Sequence, residues 1–179
     1  MINWDGLESD IEAWFADLSE KTEDDTAKFL ADSYAQTVAA ATDPKMNAVV
    51  PPGKEASIES AWSTSFKAQK ASADKMGAPN WLAVEANILL YWTGAMFATG
   101  IVHGGHHPGT GISNIVAAPG SPGIAAAIDK AFKQEDAALV AKELVAGYKD
   151  HASTIAGIMT ALIPPTASSP LPVPWTGIK

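Results

Sequence analysis

Residues 86–102 read ANILLYWTGAMFATGIV, a strongly apolar run. They lie within a wider stretch, between Glu85 and Asp129, in which 43 consecutive residues include no Asp, Glu, Lys or Arg. A transmembrane helix needs about 20 apolar residues, whereas this run has 17, is interrupted by Asn87 and Thr93 and has no neighbouring lysine to orient it. A helix that is apolar on all sides also occurs at the centre of a bundle. We therefore predict a helix over about 80–102 that is buried in the bundle core or at a subunit interface, with a membrane-interacting helix as the alternative.

Helical periodicity extends through most of the remaining chain. In the first predicted helix, apolar residues recur at intervals of three and four, at positions 4, 7, 11, 14, 15 and 18. Further helices are predicted over about 24–42, 55–76, 122–133 and 134–163, the last with a break near Asp150 left open. The pattern predicts an all-α fold, a bundle of five or six helices, in which residues 1–163 form the helical domain.

A long segment rich in glycine and proline, HGGHHPGTGISNIVAAPGSPG at 103–123, interrupts the helices. It contains six glycines and three prolines, with an apolar middle that includes Ile112 and Ile115. Connections of this length are uncommon inside a compact domain unless they serve a function. We therefore expect an ordered loop that contacts a partner protein through Ile112 and Ile115.

The chain ends in PPTASSPLPVPWTGIK, residues 164–179, which contain five prolines. Proline fixes φ and lacks an N–H, so this segment is predicted to be an extended arm that joins neither a helix nor a central strand. Leu171, Val173 and Trp175 alternate with prolines, which directs them to similar faces of an extended chain. We expect these three residues to bind a partner, and the arm to be separable from the helical domain, with an arm that folds back onto its own domain as the alternative.

The formal charge of −8 is concentrated in residues 1–32, which hold ten acidic residues and two lysines. A solvated outer helix face explains such a run, and the alternative is an acidic docking arm for a basic partner, whose binding would weaken as salt rises. The net charge argues against direct binding of nucleic acid. Asp5, Glu8 and Asp10 stand where a signal peptide needs basic and apolar residues, so we expect none.

Few residues suggest catalytic or metal chemistry. There is no cysteine, and His103, His106 and His107 are the only clustered imidazoles. They do not form the H-E-x-x-H zinc pattern, because Gly104 occupies the position of the glutamate. The 103–123 loop also contains no Asp or Glu to complete a site. We expect no catalytic residue, cofactor, metal or small-molecule substrate, and keep a metal-dependent enzyme that uses these three histidines as an alternative.

The overall layout resembles that of small helical virion structural proteins of tailed bacteriophages. The resemblance lies in the acidic start MINWDGLESDIEAWF, the apolar LLYWTGAMFATG, the loop ISNIVAAPGSPG and the proline-rich end ALIPPTASSPLPVPWTGIK. It implies a non-enzymatic component of the tail, neck or baseplate that is made in the host cytoplasm. It also implies that the chain works in several copies, in contact with itself and with other virion proteins. The resemblance implies no site residue.

Overall fold

A computed structural model of the chain describes residues 1–43, 48–72, 80–97, 123–161 and 171–179. This part of the chain is mostly helical, as the sequence predicts. The helices are α1 (Trp4–Ala16), α2 (Glu23–Val38), α3 (Glu55–Ser72), α4 (Trp81–Trp92), α5 (Ile124–Ala131) and α6 (Ala137–Thr154). The strands are β1 (Val49–Val50), β2 (Met96–Phe97), β3 (Ala156–Ala161) and β4 (Leu171–Thr176). The strands form two antiparallel pairs, β1 with β2 and β3 with β4.

The helix starts follow from short polar residues at the caps. The side chain of Asn3 accepts a hydrogen bond from the Gly6 N–H at the start of α1. At α2, Thr22 and Asp25 form a capping box, in which each side chain accepts from the other residue's backbone N–H. The Asp136 side chain accepts from two backbone N–H groups of α6. These contacts satisfy donors that a helix start otherwise leaves without partners.

The helices pack mainly as the pairs α2 with α3, α1 with α6, α5 with α6 and α3 with α4. An aromatic cluster joins α3, α4 and the end of α5. In it, Trp62 and Phe66 have ring centroids 5.3 Å apart, as do Trp81 and Phe132. Phe66 and Phe132 meet edge to face at 5.4 Å. Trp62 is completely buried, which confirms the apolar face that the periodicity predicts for α3.

The prediction of a helix over 80–102 is wrong at its C-terminal end. The helix α4 ends at Trp92, and the backbone turns away at Thr93 and at Gly94, whose φ is +81°. Glycine adopts this left-handed conformation without the steric cost that other residues carry. Strand β2 follows and pairs with β1. Across the described part of the chain, no helix is both long and apolar enough to cross a membrane.

The predicted continuation of the last helix to residue 163 is also wrong. Helix α6 ends at Thr154, and Ile155 is extended, with ψ at 127°. Strand β3 follows directly and contains Gly157 and two β-branched residues, which favour strand over helix. An apolar run of this length fits either element on its own, and here its pairing with β4 is the deciding contact.

The predicted C-terminal arm is extended over β4, but its last residues fold back on the helical part. Gly177, with φ at +82°, donates its N–H to the Ile155 carbonyl at 2.7 Å. Ile178 is buried, and Lys179 exchanges two backbone hydrogen bonds with Thr42, at 2.8 and 3.0 Å. The last three residues are therefore anchored to the helical part, and the separability of the whole arm stays a prediction.

Candidate functional site

The strands β3 and β4 form an antiparallel ribbon, called the ribbon below. The register pairs Ala156 with Thr176 at one end and Ala161 with Leu171 at the other. Neither strand contains a charged residue, although the chain as a whole carries a net charge of −8. The ribbon therefore combines the most uniformly uncharged sequence of the described C-terminal half with an extended backbone.

The two prolines of β4 determine which of its edges faces β3. Pro174 lies opposite Ile158, and Pro172 lies opposite Thr160. A proline has no N–H, so it cannot form a pair that exchanges two backbone hydrogen bonds. The pairs that exchange two hydrogen bonds must therefore be those next to the two proline pairs in the register. The hydrogen bond from the Gly177 N–H to the Ile155 carbonyl continues the same alternation. It follows that both proline nitrogens lie on the outer edge of the ribbon.

The register places the predicted partner-binding residues of the arm together. Leu171, Val173 and Trp175 occupy alternate positions of β4, so they share one face of the ribbon with their partners in β3. Those partners are Ala161, Met159 and Gly157, so every position on this face is occupied by an apolar residue or by glycine.

The other predicted site residues cannot be placed in the same way. Ile112 and Ile115, the predicted contacts of the loop, lie outside the described residues, as do His103, His106 and His107. Within the described ranges, no three His, Asp or Glu side chains are grouped so as to hold a metal ion.

The ribbon has little contact with the helices. Its two strands contact each other extensively, whereas among the described elements no helix makes more than a marginal contact with either strand. The attachment is at the base of the ribbon, where Ile155 and Ile178 are buried. The ribbon is thus held by backbone pairing and by its base.

A separate cavity of about 380 Å³ lies among α1, α2, α3 and the connection from α5 to α6. Three phenylalanines line it, Phe15, Phe66 and Phe132, together with charged residues that include Lys21 and Glu23. The Lys21 ammonium donates to the Trp14 carbonyl at 2.9 Å and lies 4.1 Å from the centre of the Trp14 ring. The cavity can accept a small apolar group, but its lining includes no paired nucleophile and base.

The acidic N-terminal region is tied to the helices around it. Glu23 binds Lys70, and Asp24 binds Lys67, with the second pair at 2.7 Å. Hydrogen bonds from these lysines lower the pKa of both carboxyls. Leu7 on the opposite face of α1 is buried. This arrangement favours the interpretation of the acidic run as an outer helix face over that of a detached docking arm.

Glu85 is a buried carboxylate that caps a different helix from its own. It lies on α4 and accepts hydrogen bonds from the N–H groups of Gly123 and Ala125, at 2.8 and 2.9 Å. Helix α5 begins after Gly123, and no side chain of its own N-cap residue accepts a hydrogen bond there. A carboxylate at a helix N-terminus is favoured by the helix dipole, so Glu85 has a structural role.

Two buried tyrosines complete the polar interior. The Trp92 Nε1–H donates to the Tyr34 hydroxyl at 2.7 Å, and the rings of Tyr34 and Tyr148 lie 4.9 Å apart. The Tyr148 hydroxyl makes no hydrogen bond to any described residue. Burial raises the pKa of both phenols. Both are therefore neutral at physiological pH, which suits packing and not proton transfer.

Comparison with known proteins gives no match: no family model, no curated protein and no solved structure matches this chain.

Proposed function

We propose that this chain is a non-enzymatic structural protein of a phage virion, in the tail, neck or baseplate region. It would be present in several copies, within a helical bundle architecture, and would contact other copies of itself and other virion proteins. The ribbon and the loop at 103–123 would provide those contacts. The proposal excludes a small-molecule substrate, a cofactor, a membrane and direct contact with nucleic acid.

The observation that carries the proposal is the ribbon with its uncharged strands. An isolated two-stranded sheet is at best marginally stable in water, and the described helices scarcely contact this one. A protein that acts alone has little use for such an element, whereas an assembly protein can complete it with a neighbouring chain. The resemblance of the sequence to phage structural proteins supports the same class.

The proposal is tested by quantitative mass spectrometry of purified phage particles. The particles come from cells in which a tagged copy of this chain replaces the untagged chain. We expect the chain in the particles at several copies per particle. A chain that remains entirely in the particle-free fraction would contradict the proposal.

A matched pair of variants connects the result to the ribbon. Val173→Asp introduces a charge into β4, and Leu82→Asp introduces the same charge on α4, where Leu82 is 68% exposed. We expect Val173→Asp to reduce incorporation into particles and Leu82→Asp to leave it unchanged. Equal incorporation of both variants would remove the ribbon from the proposal.

A further inference from the structure

Among the described residues, the backbone groups on the outer edge of β3 have no strand partner. Because the odd-numbered residues of β3 form the hydrogen-bonded pairs with β4, Ala156, Ile158 and Thr160 direct their N–H and C=O groups away from it. In the described part of the chain, β4 is the single strand that pairs with β3.

The outer edge of β4 differs from that of β3. Pro172 and Pro174 leave it without donors at two successive outward positions. Natural proteins protect exposed sheet edges with proline, with lysine or with other charges. Strand β3, with the sequence AGIMTA, contains neither proline nor any charge. The prolines thus close the β4 edge of the ribbon to a further strand, while the β3 edge has no such protection and no strand partner among the described residues.

We propose that the outer edge of β3 pairs antiparallel with β3 of a second copy of this chain, which makes a four-stranded sheet in the order β4-β3-β3-β4. This inference rests on the proposed multi-copy assembly and names its contact. The occupant is a second copy because the edge can pair with itself: its three outward positions are evenly spaced about Ile158, and neither proline nor charge stands in β3 to prevent the pairing.

The two-fold axis would pass beside Ile158, which would face Ile158 of the second copy. Ala156 would face Thr160 of the second copy, and the reverse. These three pairs provide about six backbone hydrogen bonds. Since neither strand is charged, the pairing brings no like charges together within the sheet, even though each chain carries −8.

The prolines give the assembly a defined end. In the four-stranded sheet, both outer edges belong to β4 and carry Pro172 and Pro174. No further strand can pair there without losing donors, so growth stops at two copies with closed symmetry. Four strands also exceed the minimum of about three strands that a sheet needs for stability of its own.

The test is sedimentation equilibrium of the full-length chain over a wide concentration range, with variants that act on one edge at a time. Ile158→Pro removes an outward N–H and leaves the hydrogen-bonded pairs to β4 in place. Thr160→Lys adds a charge beside the same edge and keeps the backbone donors. We expect a dimer for the natural chain, with its dissociation constant raised about 30-fold or more by Ile158→Pro. We expect a smaller increase from Thr160→Lys.

The converse variant opens the protected edge. Pro172→Val with Pro174→Val restores two donors on β4, and we expect species larger than a dimer, because both edges of the sheet can then pair. A double variant that stays dimeric would overturn the role given to the prolines. Circular dichroism and the thermal midpoint check that each variant keeps its helices.

The outcomes separate this inference from the proposed function. A dimer that is insensitive to both Ile158→Pro and Thr160→Lys overturns the β3 contact while multi-copy assembly stands. A chain that stays monomeric at the highest concentration also overturns the contact, whether the outward amides of β3 exchange freely or are protected by another segment of the same chain. Incorporation into phage particles then decides the proposed function independently.

Discussion

The helical part of the chain and the ribbon are held by different interactions. In the helical part, large side chains such as Trp62 and Trp92 are fully buried between helices. In the ribbon, the described contacts are the backbone pairs between β3 and β4, and the helices scarcely contact them. We therefore expect stability and association to respond to different substitutions. Changes in the aromatic cluster should unfold the chain, whereas changes at the outer edge of β3 should alter association alone.

The largest expected effect is on the aromatic cluster. Trp62→Ala should lower the free energy of unfolding by about 3–5 kcal/mol, because it leaves a large cavity between α3, α4 and α5. Urea denaturation followed by circular dichroism measures this change. Leu82→Ala is the control, since this residue of α4 is 68% exposed, and should cost little. Equal losses for the two variants would contradict the assignment of the core.

A smaller effect distinguishes two tyrosines that lie in ring contact. Tyr34→Phe removes the acceptor of the buried Trp92 Nε1–H, and leaving this donor without a partner should cost about 1–3 kcal/mol. Tyr148→Phe removes a hydroxyl that has no hydrogen bond among the described residues, so its effect should be close to zero. Paired denaturation curves measure the difference, and a larger loss for Tyr148→Phe would show that its hydroxyl has a partner.

The helical part and the ribbon also differ in how much of each could be predicted from the sequence. The spacing of Ile58, Trp62 and Phe66 predicts one apolar helix face, and all three are buried. The end of α4 was missed because the apolar run continues beyond Trp92, while Thr93 and Gly94 end the helix. The spacing of apolar residues indicates which face of a helix is buried, but it does not indicate where the backbone turns and the helix ends.

Local sequence patterns could not predict the contacts between segments that are distant along the chain. The pairing of β3 with β4 depends on a register that a run such as AGIMTA does not encode by itself. Glu85 caps α5 from another helix, 38 residues away from Gly123, and no spacing rule links these positions. The alternation of Pro172 and Pro174 was visible in the sequence, but its meaning depends on knowing which edge faces β3.

The junction between the two regions should show an intermediate effect. Gly177 has φ at +82°, and an added Cβ would lie 3.3 Å from the Ser153 carbonyl oxygen. Gly177→Ala should cost about 1–2 kcal/mol, because a left-handed backbone is unfavourable for alanine. Gly177→Asn is the matched control, since asparagine tolerates this conformation better while it adds the same Cβ. Thermal midpoints that are equal for the two variants would show that the contact with Ser153, and not φ, sets the cost.

A still smaller effect is expected from pH. The lowered pKa values of Glu23 and Asp24, caused first by hydrogen bonds from Lys70 and Lys67, favour the charged carboxyls in the folded state. This contribution is complete above the ordinary carboxyl values, 4.5 and 3.8, and is lost as pH falls through the lowered folded values. Asp24 is exposed and Glu23 is partly exposed, so solvent screens both ion pairs and the loss should be modest.

Thermal melts between pH 7 and pH 3 measure this contribution, with a double variant, Lys67→Ala with Lys70→Ala, as the reference. We expect the natural chain to lose more of its thermal midpoint on acidification than the double variant does. Parallel curves for the two proteins would show that these ion pairs contribute nothing measurable.

The smallest expected effect on stability is at the outer edge of β3. Ile158→Lys should leave the thermal midpoint of the helices within about 1 °C at a concentration where the chain is monomeric, because surface changes away from packed contacts have small effects. Differential scanning fluorimetry measures the midpoint. A loss of several degrees would show that this edge packs on the helical part, and the separation of the two regions would then fail.

Amide hydrogen exchange of the full-length chain at low and high concentration measures directly whether association and stability lie in different regions. We predict that the exchange of Ile158 and Thr160 slows as concentration rises, while that of Val84 and Ile88 in the buried part of α4 does not change. This result would assign association to the outer edge of β3 and stability to the helices. Exchange at Ile158 and Thr160 that is independent of concentration would contradict this assignment.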